Sequence, residues 1–495
     1  MDKFFVTTPI YYVNGEAHIG HAYTTIIADV ISRFHRLDGA DTFFLTGTDE
    51  HGQKIYQSAV AKGVETQEFV DSIVPKFQNL WDKIDCQYNY FIRTTDKHHK
   101  AFVQDIWNKM IEKGFIYLGS YSGWYAVRDE AFYSQADLIN GKAPTGADVE
   151  WLEEPSYFFK LSAFQERLLK FYQDNPNFVM PNYRFNEVKA FVNGSLRDLS
   201  VSRIAVKWGI SVPNDEKHVI YVWLDALFNY LSALSITDKE DFWPCNLHIV
   251  GKDILQFHAV YWPAFLMALD IAPPKQILAH GWWQNNGEKM SKSLGNVLDP
   301  NDIVDEFGRD YMRYFLLREM SIGQDGSFSS EGLIQRINGE LVNNIGNLVQ
   351  RVTSFAYKHL GGKVQVAVDL NDSDDELLDT TYNGINRIRA LMSEYKINEA
   401  IGVILDIGHK ANSYIERNAP WKLKNDDPER MKVILYVLLE VIRVIGILLQ
   451  PFAPDSSERI LSTLYNHPRD IKFNLISKKE SFQINPIEVL FKKFN

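Results

Sequence analysis

Apolar positions fall into two regimes along this chain. Up to about residue 330, short apolar runs alternate with stretches of helical period. That is the pattern of an α/β, doubly wound (Rossmann-like) parallel sheet with helices on its faces. Residues 4–8 read as a first buried strand and 9–15 as a turn. Ile19, Ala22, Ile26, Ile27, Val30, Ile31 and Phe34 then recur at helical spacing up to Gly39. A second strand is expected over 42–46, with helices over 53–62, 69–84 and 97–114. From Phe115 the texture changes, and Tyr117, Tyr121, Trp124, Tyr125, Phe132 and Tyr133 crowd among turn residues. A small inserted domain of short strands is predicted there, running to about Val192. The sheet resumes near Val201, with strands over 219–223, 248–253 and 276–280 and helices after the first two. Asp299 and Pro300 mark a helix start, an N-cap acid followed by proline at the first helical position. From about Ser330 the period is helical to the end, with one long helix over 333–360 and about four more. The predicted organisation is the first half of a sheet domain over 1–114, an insert over 115–192, the second half over 193–270, a loop and stem over 271–330, and an α-helical domain over 331–495.

The 495 residues suffice for several domains with real cores, and 45 % hydrophobic with 23 % charged residues is an ordinary globular composition. The two cysteines, Cys86 and Cys245, have no metal-like spacing, which argues against a disulfide framework and fits a reducing compartment. Met1 leads almost directly into the first strand, so no signal or transit segment is expected. The most apolar run, 433–450, carries Glu440 and Arg443 and reads as a buried bundle helix, not a membrane span. The net charge of −11 belongs to the front of the chain. From Glu331 onward 21 basic and 21 acidic residues balance, leaving 31 against 42 before it. Global charge does not decide nucleic-acid binding, because a local basic face can serve.

The candidate chemistry clusters at strand ends. His18-Ile19-Gly20-His21 stands where the first strand hands over to a helix N-terminus. Such a position offers free N–H groups and a positive dipole end to an anion. Gly20 leaves room for a ring or sugar on the backbone, and His18 and His21 share one face of the first turn. Two satisfied helix-start histidines are the structural alternative. Lys289-Met290-Ser291-Lys292-Ser293 lies in a polar stretch, 287–296. Two lysines three apart on a mobile loop can clamp a phosphate chain, and a solvated surface loop is the alternative. Asp49, ending the second strand, can face the ligand crevice and pair with an ammonium group. Asp253, at another strand end, can bind a ribose hydroxyl pair. Trp223, Ala226, Leu227 and Tyr230 form a helical stripe whose ordinary meaning is core packing, and His258, one turn from Ile254, has the same ordinary reading. In the helical domain Asn343, Asn344 and Asn347 lie on the first helix, and Trp421 begins a loop after Asn418-Ala419-Pro420. Amides can read a base edge and an exposed tryptophan can stack on an unpaired base, or both can simply join helices.

His-Ile-Gly-His and Lys-Met-Ser-Lys-Ser together resemble, letter for letter, the paired motifs of class I aminoacyl-tRNA synthetases. The blocks Pro9-Ile10-Tyr11-Tyr12-Val13-Asn14-Gly15, Thr46-Gly47-Thr48-Asp49-Glu50-His51-Gly52, Tyr221 to Leu227, Gly251-Lys252-Asp253-Ile254 and Ala419-Pro420-Trp421 resemble the methionyl-tRNA synthetase family along nearly the whole chain. The resemblance implies a methionine–tRNA ligase. Ile10, Tyr12, Asp49, Trp223, Ala226, Tyr230, Ile254 and His258 would line a methionine pocket, with Arg203 fixing the Asp49 carboxylate and Trp262 shaping the far side. His18, Gly20, His21, Asp253 and His280 would hold ATP, bound as its Mg2+ complex, with Lys289 and Lys292 on its phosphates. His18, His21, Lys289 and Lys292 would be the catalytic set. Asn343, Asn347 and Trp421 would read the CAU anticodon of initiator and elongator tRNA(Met).

In such synthetases an insert of this kind often carries zinc on cysteine pairs. Here the aligned places read Ala126, Asp129 and Ala143, so no structural zinc is expected. The insert, roughly 80 residues, is also too short for the editing domain of the branched-chain synthetases. A cysteine-specific synthetase would show zinc ligands at its pocket. A small nucleotidyltransferase would not need the helical domain, and a decayed RNA-binding relative would not keep both motifs. A monomer without a membrane partner is implied, in a bacterial cytoplasm first and an organelle second.

Overall fold

The computed structural model describes residues 2–129, 131–133, 135–290, 296–365, 370–479, 481–485 and 489–494. Its central sheet is parallel throughout, as the alternating pattern predicts. The strands run in the order Tyr11–Tyr12, Asp41–Asp49, Lys3–Thr7, Leu247–Gly251, Ile277–His280 and Val179–Met180, and Tyr90–Arg93 also pairs with Asp41–Asp49. The order reverses direction between Lys3–Thr7 and Leu247–Gly251. In such sheets a crevice opens at the carboxyl ends of the strands flanking the reversal. The first helix, Ile19–Leu37, starts there.

The insert is a four-stranded antiparallel sheet built on the long hairpin of Ile116–Ala126 and Glu150–Phe159, flanked by Ala131–Tyr133 and Leu199–Ser200. Val179–Met180, within the segment read as insert, pairs with the main sheet. Leu199–Ser200, beyond that segment, pairs with the insert. Two-residue strands carry no period for a sequence pattern to register.

Four expectations about elements change. The β-formers over 219–223 do not make one strand. The strand is Asp215–Ile220, and Val222–Leu227 is already helix. The helical stripe that begins at Trp223 wins over local β-propensity. Residues 254–262 are not one α-helix but a tight turn, Lys252–Ile254, then a π-helical stretch, Phe257–Tyr261, then Trp262–Ala268. The long helix of the bundle likewise has a π-helical middle, Ile337–Gly346, between Ser330–Arg336 and Asn347–Leu360. Such wide turns are rare and gather at functional sites. The other bundle helices are Asp372–Ser393, Ile397–Asn418, Pro428–Leu449 and Pro454–Ser462. Trp421 does not open a loop; it sits in a short helix, Pro420–Asp426, that Pro420 starts with its preset φ.

One core lies between the sheet and the first helix and runs on through Met312 and Phe315 into the bundle around Ile404 and Leu439. A second covers the opposite face of the sheet, with Phe5, Trp107, Phe159 and Trp262. At the joint of sheet and bundle, buried Arg313 donates to Asp29 Oδ2 at 2.6 Å and to the Pro451 carbonyl at 3.2 Å, while Arg33 donates to the same carboxylate. Burial works to raise Asp29, and the two guanidinium groups outweigh it and hold the acid ionised. Removing one partner of such a group costs about 3–5 kcal/mol. In the apolar run of the bundle Glu440 is satisfied by Arg443 and by Tyr382. Among the described residues no helix is long and apolar enough to cross a membrane.

Candidate active site

The first turn of Ile19–Leu37 is closed by its own histidines. His18 is the N-cap, and its Nδ1 accepts the Gly20 N–H at 3.1 Å. His21 Nδ1 accepts the His18 N–H at 3.1 Å, completing a reciprocal capping box. The rings stack with centroids 3.8 Å apart. With both Nδ1 atoms accepting, the neutral rings carry their protons on Nε2. The backbone N–H groups expected to be free for an anion are in part already spent: that of Gly20 on His18, and that of Ile19 on the Leu298 carbonyl at 3.2 Å. What the turn offers a phosphate is therefore imidazole.

A cleft of about 580 Å³ opens over this turn. His18, Gly20, His21, Asp253 and His280, the residues expected to hold ATP, all line it. A Cβ on Gly20 would stand 3.0 Å from the His18 ring, so the glycine keeps that ring seated. His280 donates from Nδ1 to the Gly281 carbonyl at 2.8 Å and meets the Thr24 hydroxyl with Nε2 at 2.7 Å. Burial lowers its pKa, so it serves as a neutral ring. Met290 and Val297 also line the cleft, and Glu288–Lys289 pairs antiparallel with Trp283–Asn285. Both described ends of the lysine stretch thus reach the site. Lys292 and its neighbours Ser291, Ser293, Leu294 and Gly295 lie outside the described residues, as does the side chain of Lys289.

Ile10, Tyr12, Asp49, Trp223 and Ile254 line the same cleft. Ala226, Tyr230, His258 and Trp262 do not; they are buried behind Trp223. The Trp223 ring stacks on Phe257 with centroids 3.8 Å apart, and its centroid lies 6.2 Å from that of the nearly perpendicular His258 ring. His258 donates from Nδ1 to the Ile254 carbonyl and accepts the Tyr230 hydroxyl at Nε2, 2.8 Å away. Burial brings its pKa down to about 4. This wall is apolar and aromatic with neutral polar groups, a lining that suits a thioether. Arg203 is buried and does not itself line the cleft. It donates to Ser200 Oγ and to the Ser202 carbonyl, both at 2.7 Å, and borders a small neighbouring cavity with His51 and Trp208.

Several participants carried no local signal. Asp225 accepts from His51 at 2.6 Å and from His99 at 2.8 Å, tying the helix of Trp223 to the strand of Asp49. Burial works to raise Asp225, but the two imidazoles bring it down to about 2. Thr24, Lys54 and Trp282 line the cleft, and so does Asp129 from the insert. Asp129 accepts the hydroxyls of Tyr133 and Thr145, beside a small core of Ala126, Ala143 and Ala147. Methyl groups and one carboxylate are not a zinc donor set. In the bundle Asn343, Asn347 and Trp421 are exposed, whereas Asn344 is buried and donates to the Leu405 carbonyl. The Arg351 guanidinium lies 5.3 Å over the Trp421 ring. Its spacing of four from Asn347 was the available clue.

Residues 4–150 and 134–353 match the family described as tRNA synthetases class I (M), and 364–495 match the anticodon binding domain of methionyl tRNA ligase. The methionine–tRNA ligase of Rickettsia felis is 53 % identical over 471 residues, covering 94 % of this chain and 92 % of that protein. That of Rhizobium meliloti is 49 % identical over 468 residues, covering 92 % and 91 %. The solved structure of Mycobacterium tuberculosis methionyl-tRNA synthetase in complex with methionyl-adenylate superposes with a TM-score of 0.96 at 42 % identity, covering 99 % of this chain and all of that one. With its catalytic half and its helical half matched to the same proteins, this chain belongs to the methionyl-tRNA synthetase family.

Proposed function

We propose that His18 and His21 are the phosphate donors of this synthetase, acting through Nε2–H from a turn that their own Nδ1 atoms hold rigid. The chain activates methionine with ATP and then passes it to the terminal adenosine of tRNA. In the first step a methionine carboxylate oxygen attacks the α-phosphorus, and the bond to the bridging oxygen breaks as pyrophosphate leaves. No side-chain nucleophile is needed. Positioning and stabilisation of negative charge supply the rate. In this reading Asp49 holds the α-ammonium group, while Ile10, Tyr12, Trp223 and Ile254 meet the side chain, with Ala226, Tyr230, His258 and Trp262 behind them. Arg203 stiffens the neighbouring backbone of Ser200 and Ser202. Asp253 takes the ribose, His280 the adenosine wall, and Lys289 with Lys292 the departing pyrophosphate. Mg2+ enters with the triphosphate as part of the substrate.

The helical domain, in the same reading, meets the CAU anticodon with Asn343, Asn347 and Trp421, joined by Arg351. A monomer in a bacterial cytoplasm, serving initiator and elongator tRNA(Met), completes the proposal; the similar proteins named above are bacterial.

The observation that carries the reading is the reciprocal histidine cap at the floor of the cleft. Lys292→Gln tests its loop half. Pyrophosphate exchange should fall by about 100-fold or more, the usual cost of one transition-state donor, while tRNA binding stays within about twofold. Unchanged exchange would remove Lys292 from the mechanism.

A further inference from the structure

Trp282 has no part in the assignments above, yet it borders the nucleotide end of the cleft. Its indole N–H donates to Asp253 Oδ1 at 3.1 Å. Its own backbone N–H donates to Asp325 Oδ1 at 2.8 Å. Lys252 Nζ lies 4.3 Å from the ring centre and donates to both oxygens of the same Asp325, at 2.7 and 2.8 Å. The ring is therefore held by its backbone, by a cation on its face and by the carboxylate at its edge. Gly281 permits this seat, since a Cβ there would meet the Gln324 carbonyl at 2.0 Å. The Asp253 carboxylate in turn occupies the space over Gly251, where a Cβ would stand 2.6 Å from Oδ1.

Asp253 itself is exposed at the mouth of the cleft. An exposed carboxylate samples several rotamers and must give up that freedom when it binds a ligand. A donor fixed at one oxygen removes the cost beforehand. We propose that Trp282 is a positioning residue for ATP: its Nε1–H commits Asp253 Oδ1 and leaves the other oxygen aimed at the ribose hydroxyls. The proposal rests on the reading of Asp253 as the ribose contact. A tryptophan that only fills the mouth of the cleft would give the same burial and the same contact with Lys252.

Pyrophosphate exchange with ATP, 2′-deoxyATP and 3′-deoxyATP separates these cases. Trp282→Phe keeps a ring for Lys252 and removes the donor. The expected result is a KM for ATP raised about 5–10-fold, the scale of one ordinary hydrogen bond, since the bond acts through Asp253. The methionine KM and the kcat should stay within about twofold, and the penalty for a missing ribose hydroxyl should shrink at least about threefold. Asp253→Ala should abolish the penalty, and adding Trp282→Phe to it should cost nothing more. If Asp253→Ala abolishes the penalty and Trp282→Phe leaves it intact, the proposal is overturned, even when the KM for ATP rises, because loosened packing would do that. If Asp253→Ala leaves the penalty intact, the ribose reading fails and the proposal falls with it.

Discussion

The Leu298 carbonyl accepts the backbone N–H of Ile19 at 3.2 Å. This bond fastens the chain leaving the lysine stretch to the first turn of the helix that carries the paired histidines. It also uses one of the helix-start donors that an anion would otherwise find. The Gly20 donor is used by His18. In the proposed reading, phosphate recognition at this turn passes to the imidazole rings.

His18→Asn separates capping from chemistry. Asparagine is a good N-cap, so stability should stay within about 0.5 kcal/mol of the parent, whereas His18→Ala should lose about 1 kcal/mol. Both should lose about 100-fold or more in pyrophosphate exchange, because both lack the Nε2–H donor. Urea unfolding beside the exchange assay checks this. Retained exchange in His18→Asn would show that the cap, not the donor, is what matters.

Trp223 stacks flat on Phe257, with an interplanar angle of 6°, in front of the buried Tyr230–His258 pair. Trp223→Ala should raise the methionine KM by about 10–100-fold, the scale of losing one large apolar wall. The ATP KM should hold within about twofold. A parallel rise in both would mean that the ring supports the whole cleft.

Buried neutral histidines make the fold acid-sensitive. Burial lowers His258 and His35 from near 6.5 to about 4, and holds His248 well below its usual value. Because the folded values are depressed, the unfolded chain binds more protons between about pH 6.5 and 4. The stability these groups contribute is complete above about pH 6.5 and is lost as pH falls through 4. For fully buried His258 this amounts to about 3 kcal/mol. Asp225, held low by its two hydrogen-bonded imidazoles, and Asp29, held low by two guanidinium groups, add their own losses only at lower pH. The urea midpoint should drop between pH 7.5 and pH 5, with a slope above one proton. Equal stability at the two values would contradict the neutral assignments.

Trp421→Ala and Arg351→Ala should leave pyrophosphate exchange within about twofold of the parent, since both lie in the helical domain. Aminoacylation of tRNA should fall by about 5–150-fold for Trp421→Ala, the equivalent of about 1–3 kcal/mol of base stacking. Loss of exchange in either variant would mean a folding defect reaching the cleft.

Much of this was legible in the sequence because the chemistry sits at strand ends. Asp49, Gly251 and His280 each close an apolar run, and the order of those runs dictates a crevice. The two motifs named the family. What stayed hidden depends on partners far apart in the chain. Satisfied helix-start histidines are the structural alternative in the sequence, but which N–H each ring accepts depends on the backbone of the turn. The stack of Trp223 on Phe257, and of Arg351 on Trp421, joins residues whose neighbourhood only folding creates. The π-helical turns at Phe257–Tyr261 and Ile337–Gly346 keep an apolar period close enough to 3.6 to pass for plain helix. Tyr11–Tyr12 and Val179–Met180 are too short to show any period at all.

The most direct test of the whole account is amino-acid-dependent ATP–pyrophosphate exchange, run without tRNA on each standard amino acid in turn. Exchange with methionine alone is the predicted result, since the aromatic wall behind Trp223 and the imidazole floor of the cleft would then be doing the selecting and the activating. Exchange driven by a different amino acid, or none at all from a well-folded sample, would contradict it.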